Sequence, residues 1–433
     1  MRTRGRQLLS GILSVCLLLS FPLWLRGDGA GELARETVAG EQPEPAPPEG
    51  TASSAPGVSS PPEDSAPSSS GTTNAPVIIP PAVDEKMAQA MQTSNVRGLS
   101  LAVFRDKEII YTYYGGYMDA AQTKPVDSRT KYRIASVSKL VTGVLVMQLV
   151  EQGRLDLDRD ISEYMGVTVR SPQYPDVPIT TRMLMTHTSS IIGGSVYDAN
   201  TGDPPYAPLT AILESSGCFT GAKPGTRFRY SNMGAAMEGG VIEGVTGQRF
   251  YDYAGEVFAS LGMDAGYLRT KIREPETISP ARRADVPNWG RVESAYDTIP
   301  LGQMYLLGHG DLIISAADLA QFGIALAGDG STATARILTP ASVQAINTVY
   351  THTGGDGIGL NMSMTEDLVD GRTIYGHSGQ AYGMIAGLYF DPTDGTGVAF
   401  ITNSCSTAKN DKGKYVLTGN LMDIVYGDVL TAA

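Results

Sequence analysis

The chain has 433 residues, a formal net charge of −12 at pH 7 and a hydrophobic fraction of 42%. This length is enough for one large domain or two ordinary ones, and the hydrophobic content can support a sizeable core. The acidic balance argues against a nucleic-acid partner, because proteins that bind a phosphate backbone usually carry a basic patch.

The N-terminal segment has the pattern of an export signal. Arg2, Arg4 and Arg6 precede an uncharged, apolar run over 8–25, and a basic start followed by an apolar stretch is typical of secretory signals. The run is also close to the shortest length that spans a bilayer, so cleavage and retention as a membrane anchor are both open. We therefore predict that residues 1–30 are a signal peptide or membrane anchor and that the protein is extracellular or on the cell surface.

The next segment has the composition of a linker. Residues 31–81 are rich in Pro, Ser, Glu, Ala and Gly and contain no aromatic residue. Such a segment cannot bury enough apolar surface to offset its chain entropy, so we predict a disordered linker. The folded domain is then predicted to cover residues 82–433.

Helices are predicted in the middle of this domain. The segment 138–152 is apolar on nearly every face and is followed by Gly153, which predicts a buried helix with a glycine just past its C-terminus. Further helices are predicted at Met233–Val245, Phe250–Leu261, Ala316–Ala327 and Pro340–Val349.

Strands are predicted at both ends of the domain. Ser100–Val103 and Ile109–Tyr114 are β-prone runs around a charged turn. Met384–Phe390 and Gly397–Thr402 are predicted strands joined by the turn 392–395. This arrangement predicts an α+β fold in which the terminal strands share one antiparallel sheet, with helices packed on it and forming a second lobe.

The segment Ser136-Val137-Ser138-Lys139 predicts a nucleophile with an adjacent base. Serine is a weak nucleophile unless a neighbouring base takes its proton. Three residues along a helix put two side chains on one face, and a lysine shielded from water can accept a proton. The plain alternative is a surface lysine at a helix start, but the helix that Lys139 opens is otherwise apolar.

Tyr230-Ser231-Asn232 is the second polar motif. Tyrosine has a reference pKa near 10 and acts as a base only where cations hold its anionic form; Lys139 could supply that charge. Asn232 offers a donor and an acceptor suited to an amide substrate. The plain alternative for Tyr230 is amphipathic packing.

His377-Ser378-Gly379 is the third motif and lies just before the predicted C-terminal hairpin. A donor side chain, a hydroxyl and a glycine beside a sheet edge could bind a carboxylate or a carbonyl group. The backbone N–H groups of Gln380 and Ser136 could form an oxyanion hole. The plain alternative is a turn that enters a strand.

These three motifs, in this order, resemble those of the serine β-lactamases and DD-peptidases, in particular the class C β-lactamase branch and its esterase relatives. Further similar segments are Leu184–Ser190, Glu243–Gly247, Leu261–Met263, Gly308–Leu312 and Asp318–Leu319. The resemblance covers about residues 83–427. It implies an antiparallel sheet flanked by helices, an all-helical lobe and a catalytic site between the two. The residues it implies are catalytic Ser136, Lys139 and Tyr230 and substrate-binding Asn232, His377, Ser378, Gly379 and Gln380.

Two positions depart from the family pattern. His377 stands where class C β-lactamases have lysine, and some DD-peptidases carry histidine there. A neutral imidazole lacks the charge that strengthens a hydrogen bond to a carboxylate. We therefore expect poor β-lactamase turnover, and tighter binding of carboxylate-bearing substrates as the pH falls toward 6. Ser190 replaces a glycine in a loop.

Other enzyme classes lack their motifs here. The chain contains no G-x-S-x-G, no H-E-x-x-H and no G-K-[ST] segment, and we expect no metal and no cofactor. His187 is expected to support a loop, whereas His309 and His352 are given no chemical role. Outside the signal segment the cysteines are Cys218 and Cys405, and export favours a disulfide between them.

The sequence thus predicts a monomeric, exported serine hydrolase that forms an acyl-enzyme. Its substrate would be a small molecule or a peptide: a D-alanyl peptide of the cell-wall type, a β-lactam or a small ester, with DD-carboxypeptidase-like or esterase-like activity favoured. The alternative is a penicillin-recognising binding protein or sensor that is acylated without efficient turnover.

Overall fold

The computed structural model describes residues 79–200, 204–281 and 289–432. The predicted signal peptide or anchor, and all but the last three residues of the predicted linker, lie outside these ranges. Within the described ranges, none of the helices is long and apolar enough to cross a membrane.

The fold combines helices with antiparallel strands. The helices are α1 (Ala82–Thr93), α2 (Ser138–Glu151), α3 (Ile161–Met165), α4 (Thr181–Met185), α5 (Gly194–Ala199), α6 (Leu209–Leu213), α7 (Asn232–Thr246), α8 (Phe250–Ser260), α9 (Trp289–Ala295), α10 (Ala316–Ala327), α11 (Pro340–Ile346), α12 (Val416–Ile424) and α13 (Leu430–Ala432). The strands are β1 (Gly98–Arg105), β2 (Glu108–Gly116), β3 (Lys131–Arg133), β4 (Ile313–Ser315), β5 (Thr351–Thr353), β6 (Asp356–Ile358), β7 (Ser363–Thr365), β8 (Ile374–Ala381), β9 (Met384–Asp391) and β10 (Thr396–Thr402). A π-helical turn at Val425–Val429 joins α12 to α13.

In the described part of the chain, eight strands form one antiparallel sheet in the order β2-β1-β10-β9-β8-β7-β6-β5, and β3 pairs separately with β4. The first strand of the domain pairs with the last, with Leu101 of β1 opposite Phe400 of β10. The predicted α+β class and the sharing of one sheet by the terminal strands are therefore confirmed.

Side chains alternate across the central strands. Leu101 and Val103 of β1 belong to the core on one face, whereas Ala102 and Phe104 belong to the core on the other. Helices α1 and α12 contribute to the first core, and α10 packs against β1, β9 and β10 on the second. Because both faces are covered, β1 is buried along nearly its whole length, as expected for an almost continuous apolar run.

Helix α7 is the centre of the helical part of the domain, where it packs against α2, α3, α4 and α8. Its N-terminus is capped by Ser231, whose Oγ accepts the Gly234 N–H at 2.8 Å. Helix α2 is buried on nearly every face, as predicted, and Gly153 follows it with φ +66°. These two helices carry side chains toward the same interior space.

One alternative and one prediction from the sequence are wrong at the level of the fold. The turn named as the plain alternative for His377, Ser378 and Gly379 is not formed, since these residues lie inside β8. Cys218 and Cys405 are not joined by a disulfide, because Cys218 belongs to one hydrophobic core of the domain and Cys405 to the other.

Candidate active site

Ser136 lies on a 3-10 turn, Ala135–Val137, directly before α2. Ala135 has φ +47°, which is unusual for a residue other than glycine. Lys139 is one turn further along, so the two side chains share a face. Its Nζ is 3.1 Å from Ser136 Oγ.

Lys139 is fully buried. Besides Ser136 Oγ, its Nζ contacts the Oδ1 of Asn232 at 2.9 Å and the carbonyl oxygen of His309 at 2.8 Å. Burial lowers the pKa of Lys139 to about 7, although the charges of Glu238 and Asp311 oppose this change. Near neutral pH the amine is therefore partly unprotonated and can accept a proton.

Tyr230 lies beside this pair, with its ring centroid 5.0 Å from Lys139 Nζ. Although 41% of the residue is exposed, its hydroxyl is the enclosed end. Desolvation raises the pKa of Tyr230 to about 12, and a hydrogen bond with Ser136 only partly offsets this effect. The free enzyme therefore keeps Tyr230 protonated at neutral pH, and the nearby Lys139 does not hold it in the anionic form that the sequence analysis allowed.

His187 holds the segment that carries the tyrosine. Its carbonyl oxygen accepts the Arg229 N–H at 2.7 Å, and its Nδ1 accepts the Ser231 N–H at 3.3 Å. Burial, followed by the charges of Lys139 and His377, lowers the pKa of His187 well below 6.5. A neutral ring that accepts at Nδ1 carries its proton on Nε2. His187 thus acts in the structure as the loop support that the sequence suggested.

Strand β8 packs directly on the turn that carries Ser136. A Cβ atom on Gly379 would lie 2.3 Å from the carbonyl oxygen of Ile134 and 3.2 Å from the backbone nitrogen of Ser136. Only glycine permits this approach. Because side chains alternate along a strand, the Ser378 side chain lies on the face of β8 opposite to the one that Gly379 turns to Ser136.

His377 faces Tyr230, with the two ring centroids 6.3 Å apart. Its Nδ1 donates to the carbonyl oxygen of Ser378 at 2.6 Å, so its Nε2 bears the lone pair in the neutral ring. Burial and the charge of Lys139 lower the pKa of His377 to about 4. A ring with this pKa stays neutral between pH 6 and 8 in the free enzyme, which argues against the gain in carboxylate binding that we predicted toward pH 6.

Gln380 lies one residue further along β8, opposite Ile385 of β9. It borders a cleft of about 770 Å³ together with Tyr382 and Ser406.

Sequence reasoning missed several groups around Lys139. His309 was given no role, yet its carbonyl oxygen accepts from the amine. Asp311 forms an ion pair with Arg133, and Glu238 is a fully buried carboxyl group on α7. The available signal for Glu238 was an acidic residue within a largely apolar helix, a signal that it shares with Glu243. Across the residues that the structure describes, no group of three or more His, Cys, Asp or Glu side chains could hold a metal ion.

The beta-lactamase family model matches residues 83–419. The chain belongs to the beta-lactamase family. Penicillin-binding protein 4 of Amycolatopsis lactamdurans is 27% identical to it over 329 residues, which are 72% of this chain and 83% of that protein. The resemblance that the three motifs indicated is therefore confirmed, and the protein is a serine hydrolase of this family.

Two solved structures illustrate the beta-lactamase-type fold of this chain. The D-amino acid amidase from Ochrobactrum anthropi SV3 has a TM-score of 0.63 at 20% identity, over 81% of this chain and 98% of that one. EstCE1, a hydrolase with promiscuous acyltransferase activity, has a TM-score of 0.61 at 21% identity, over 80% of this chain and 100% of that one. At these identities the likeness concerns the fold.

Proposed function

We propose that this protein is an exported hydrolase that forms an acyl-enzyme on Ser136 and releases the acyl group to water. Small esters are its favoured substrates, together with D-alanyl peptides whose C-terminal carboxylate lies away from His377, and β-lactams are poor ones. The observation that carries the proposal is the 3.1 Å contact between Ser136 Oγ and Lys139 Nζ, in surroundings that lower the pKa of that amine to about 7.

The contacts of Lys139 support its role as the base in acylation. A neutral amine has two hydrogens and one lone pair. The Oδ1 of Asn232 and the carbonyl oxygen of His309, at 2.9 and 2.8 Å, can only accept, so they take the two hydrogens. The lone pair is then left for the Ser136 hydroxyl, whose proton moves to Nζ as Oγ bonds to the substrate carbonyl carbon.

Tyr230 is proposed to deliver a proton to the leaving group. Its pKa of about 12 keeps the hydroxyl neutral, and its hydrogen bond with Ser136 holds that hydroxyl at the reacting atoms. As the substrate bond breaks, Tyr230 gives its proton to the leaving oxygen or nitrogen and recovers one from the Lys139 ammonium group. Deacylation uses the same groups in reverse, with water as the nucleophile.

The backbone N–H groups of Ser136 and Gln380 are proposed to bind the developing oxyanion. Ile385, opposite Gln380, gives its N–H to Thr402 Oγ1 at 2.9 Å, on the far side of β9. Because paired residues in antiparallel strands direct their backbone groups either both inward or both outward, the Gln380 N–H points away from β9. On that side of β8, the described residues of β7 pair with positions 374–376 and not with Gln380.

The neutral state of His377 supports the choice of substrate class. The Nδ1–H of His377 donates to the carbonyl oxygen of Ser378, and the pKa of the ring is about 4. His377 therefore offers a substrate its Nε2 as an acceptor and carries no charge. This favours an ester or an amide in that position over a free carboxylate. The fold shared with a D-amino acid amidase favours amides of D-amino acids as candidates.

Intact mass spectrometry and product analysis test the proposal with three compounds: benzylpenicillin, a peptide ending in D-Ala-D-Ala and a p-nitrophenyl ester. We expect steady release of product from the peptide or the ester, and slow turnover of penicillin. A stable adduct with at least one compound, together with no product from any of the three, would establish the sensor alternative. Neither adduct nor product from all three would contradict the proposal.

A further inference from the structure

Glu238 is a fully buried carboxyl group on α7, the helix that also carries Asn232. Its Oε2 accepts from the Nδ2 of Asn361 at 2.7 Å. Its Oε1 has no hydrogen-bond partner within the described residues. Over the same residues, no Lys, Arg or His side chain lies within ion-pair distance of this carboxyl group.

Asn361 connects Glu238 to the lysine of the site. The same Nδ2 that donates to Glu238 also donates to the carbonyl oxygen of Lys139 at 2.9 Å. Asn361 is itself held by its backbone N–H, which donates to the carbonyl oxygen of Met185 at 2.8 Å. Helix α7 therefore contacts Lys139 at two places, through Asn232 at the amine and through Glu238 and Asn361 at the backbone.

The surroundings of Glu238 favour its uncharged form. A buried carboxylate without a counter-cation costs several kcal/mol, so such a group takes up a proton instead. Desolvation raises the pKa of Glu238 well above 4.5, and the hydrogen bond from Asn361 and the charge of Lys139 only oppose this effect. Conversely, an ionised Glu238 would raise the pKa of Lys139 and keep a proton on the amine.

The other titratable groups that face Lys139 leave Glu238 in a distinct position. Burial lowers the pKa of His309 to about 3, and His187 and His377 are also kept neutral. Tyr230 keeps its proton. Asp311 is the other acid that acts on Lys139, and it is paired with Arg133. Among these described neighbours, Glu238 is the acid that lacks an ion-pair partner.

We propose that Glu238 is a positioning residue that works as an uncharged carboxylic acid. It braces Lys139 through Asn361, and by staying neutral it lets the Lys139 amine exist as a free base beside Ser136. The inference rests on the proposed function, since it assigns a role toward the same lysine.

The test compares Glu238→Leu with Glu238→Gln in the full chain, by the pH dependence of kcat and KM for a p-nitrophenyl ester. Glu238→Leu removes the acceptor for Asn361, and we expect kcat to fall about tenfold or more, with KM within about twofold, because Lys139 is displaced. Glu238→Gln keeps the shape and the acceptor and carries no charge. We expect it to restore most of kcat and to leave the acidic limb of kcat/KM at the wild-type pH.

Glu243 provides a matched control on the same helix. It is also buried, but its carboxylate accepts the N–H groups of Phe250 and Gly302 at 3.2 and 2.9 Å, and it lies 3.7 Å from Arg249. Glu243→Gln should therefore lower the free energy of unfolding without moving the acidic limb. A role of Glu238 in stability alone would make the two helix variants behave alike.

Two results would overturn the inference. If Glu238→Gln moved the acidic limb to lower pH by about one unit or more, Glu238 would be ionised in the working enzyme. If Glu238→Leu kept the wild-type kcat and pH profile, Glu238 would have no positioning role. Should the leucine variant fail to fold, Asn361→Ala breaks the same bridge and takes its place. A wild-type protein that forms no adduct on Ser136 would contradict the proposed function instead.

Discussion

The carbonyl oxygen of His309 accepts a hydrogen bond from the Nζ of Lys139 at 2.8 Å, across 170 residues of sequence. With the Oδ1 of Asn232 it engages two hydrogens of the amine. The orientation of Lys139 toward Ser136 therefore depends on α7 and on the turn Leu307–His309 as much as on its own helix.

The pH dependence of acylation should follow Lys139. Its pKa is lowered to about 7, and the reactive form is the neutral amine, so the rate should be low at pH 5.5 and rise through about pH 7. Lys139→Met should lower kcat/KM by about 10² to 10⁴, the usual worth of a general base. Stopped-flow acylation by a p-nitrophenyl ester measures both. A wild-type rate that stays constant from pH 5.5 to 8.5 would contradict this role.

His377→Lys should strengthen penicillin binding by a similar factor at pH 6 and at pH 8. The variant places a charged donor beside the penicillin carboxylate where the wild-type ring presents an acceptor, a change worth about fivefold in Kd. The wild-type imidazole is neutral at both pH values because its pKa is about 4. Calorimetric titration in a Ser136→Ala background avoids acylation.

His352→Lys, at an exposed position in β5, adds the same charge away from the site and should leave Kd unchanged. A gain for His377→Lys that is present at pH 8 and absent at pH 6 would show that the wild-type His377 is charged at pH 6.

The motifs and the long elements could be predicted from the sequence, because each is a local pattern. The apolar segment after Ser136 predicts α2, and the alternating β-prone runs predict β1, β2, β9 and β10. The strands β3 to β7 have three residues each, which is too short for a periodic pattern. Their pairing is decided by tertiary contacts.

The charge states in the site could not be predicted, because they depend on burial by distant segments. The sequence suggested an anionic Tyr230 and a His377 that titrates near neutral pH. The folded site desolvates both and keeps both neutral. In the same way, the contact of the His309 carbonyl with Lys139 involves a backbone atom. Any residue type at position 309 has that atom, so the sequence does not reveal the contact.

Ser190→Gly should stabilise the protein. Ser190 has φ +67°, a conformation that costs a residue other than glycine about 1 kcal/mol or more, and its buried hydroxyl has no hydrogen-bond partner within the described residues. This conformation also explains why the resemblance placed a glycine here. We expect urea unfolding to give a gain of about 1 kcal/mol.

Ser171 is the matched control for this gain. Its buried hydroxyl also lacks a partner in the described ranges, but its φ is not positive, so Ser171→Gly should destabilise. Equal gains for both serine variants would show that the backbone conformation of Ser190 is not the cause.

Cys218 and Cys405 should be thiols in the purified protein. Both are buried, and burial raises the pKa of Cys218 to about 11, so neither should react with iodoacetamide in the folded state at pH 8. After denaturation without a reductant, peptide mapping should find both alkylated. Alkylation that appears only after reduction would establish the disulfide that the structure does not contain.

The most direct test of the central claim is peptide mapping of the adduct that forms with benzylpenicillin or with an activated ester after rapid acid quenching. The added mass should lie on Ser136 and should vanish in Ser136→Ala. Ser138→Ala is the matched control, because Ser138 Oγ instead accepts the Leu312 N–H at 3.1 Å inside the core, and this variant should keep the adduct. An adduct and wild-type hydrolysis that both persist in Ser136→Ala would contradict the account.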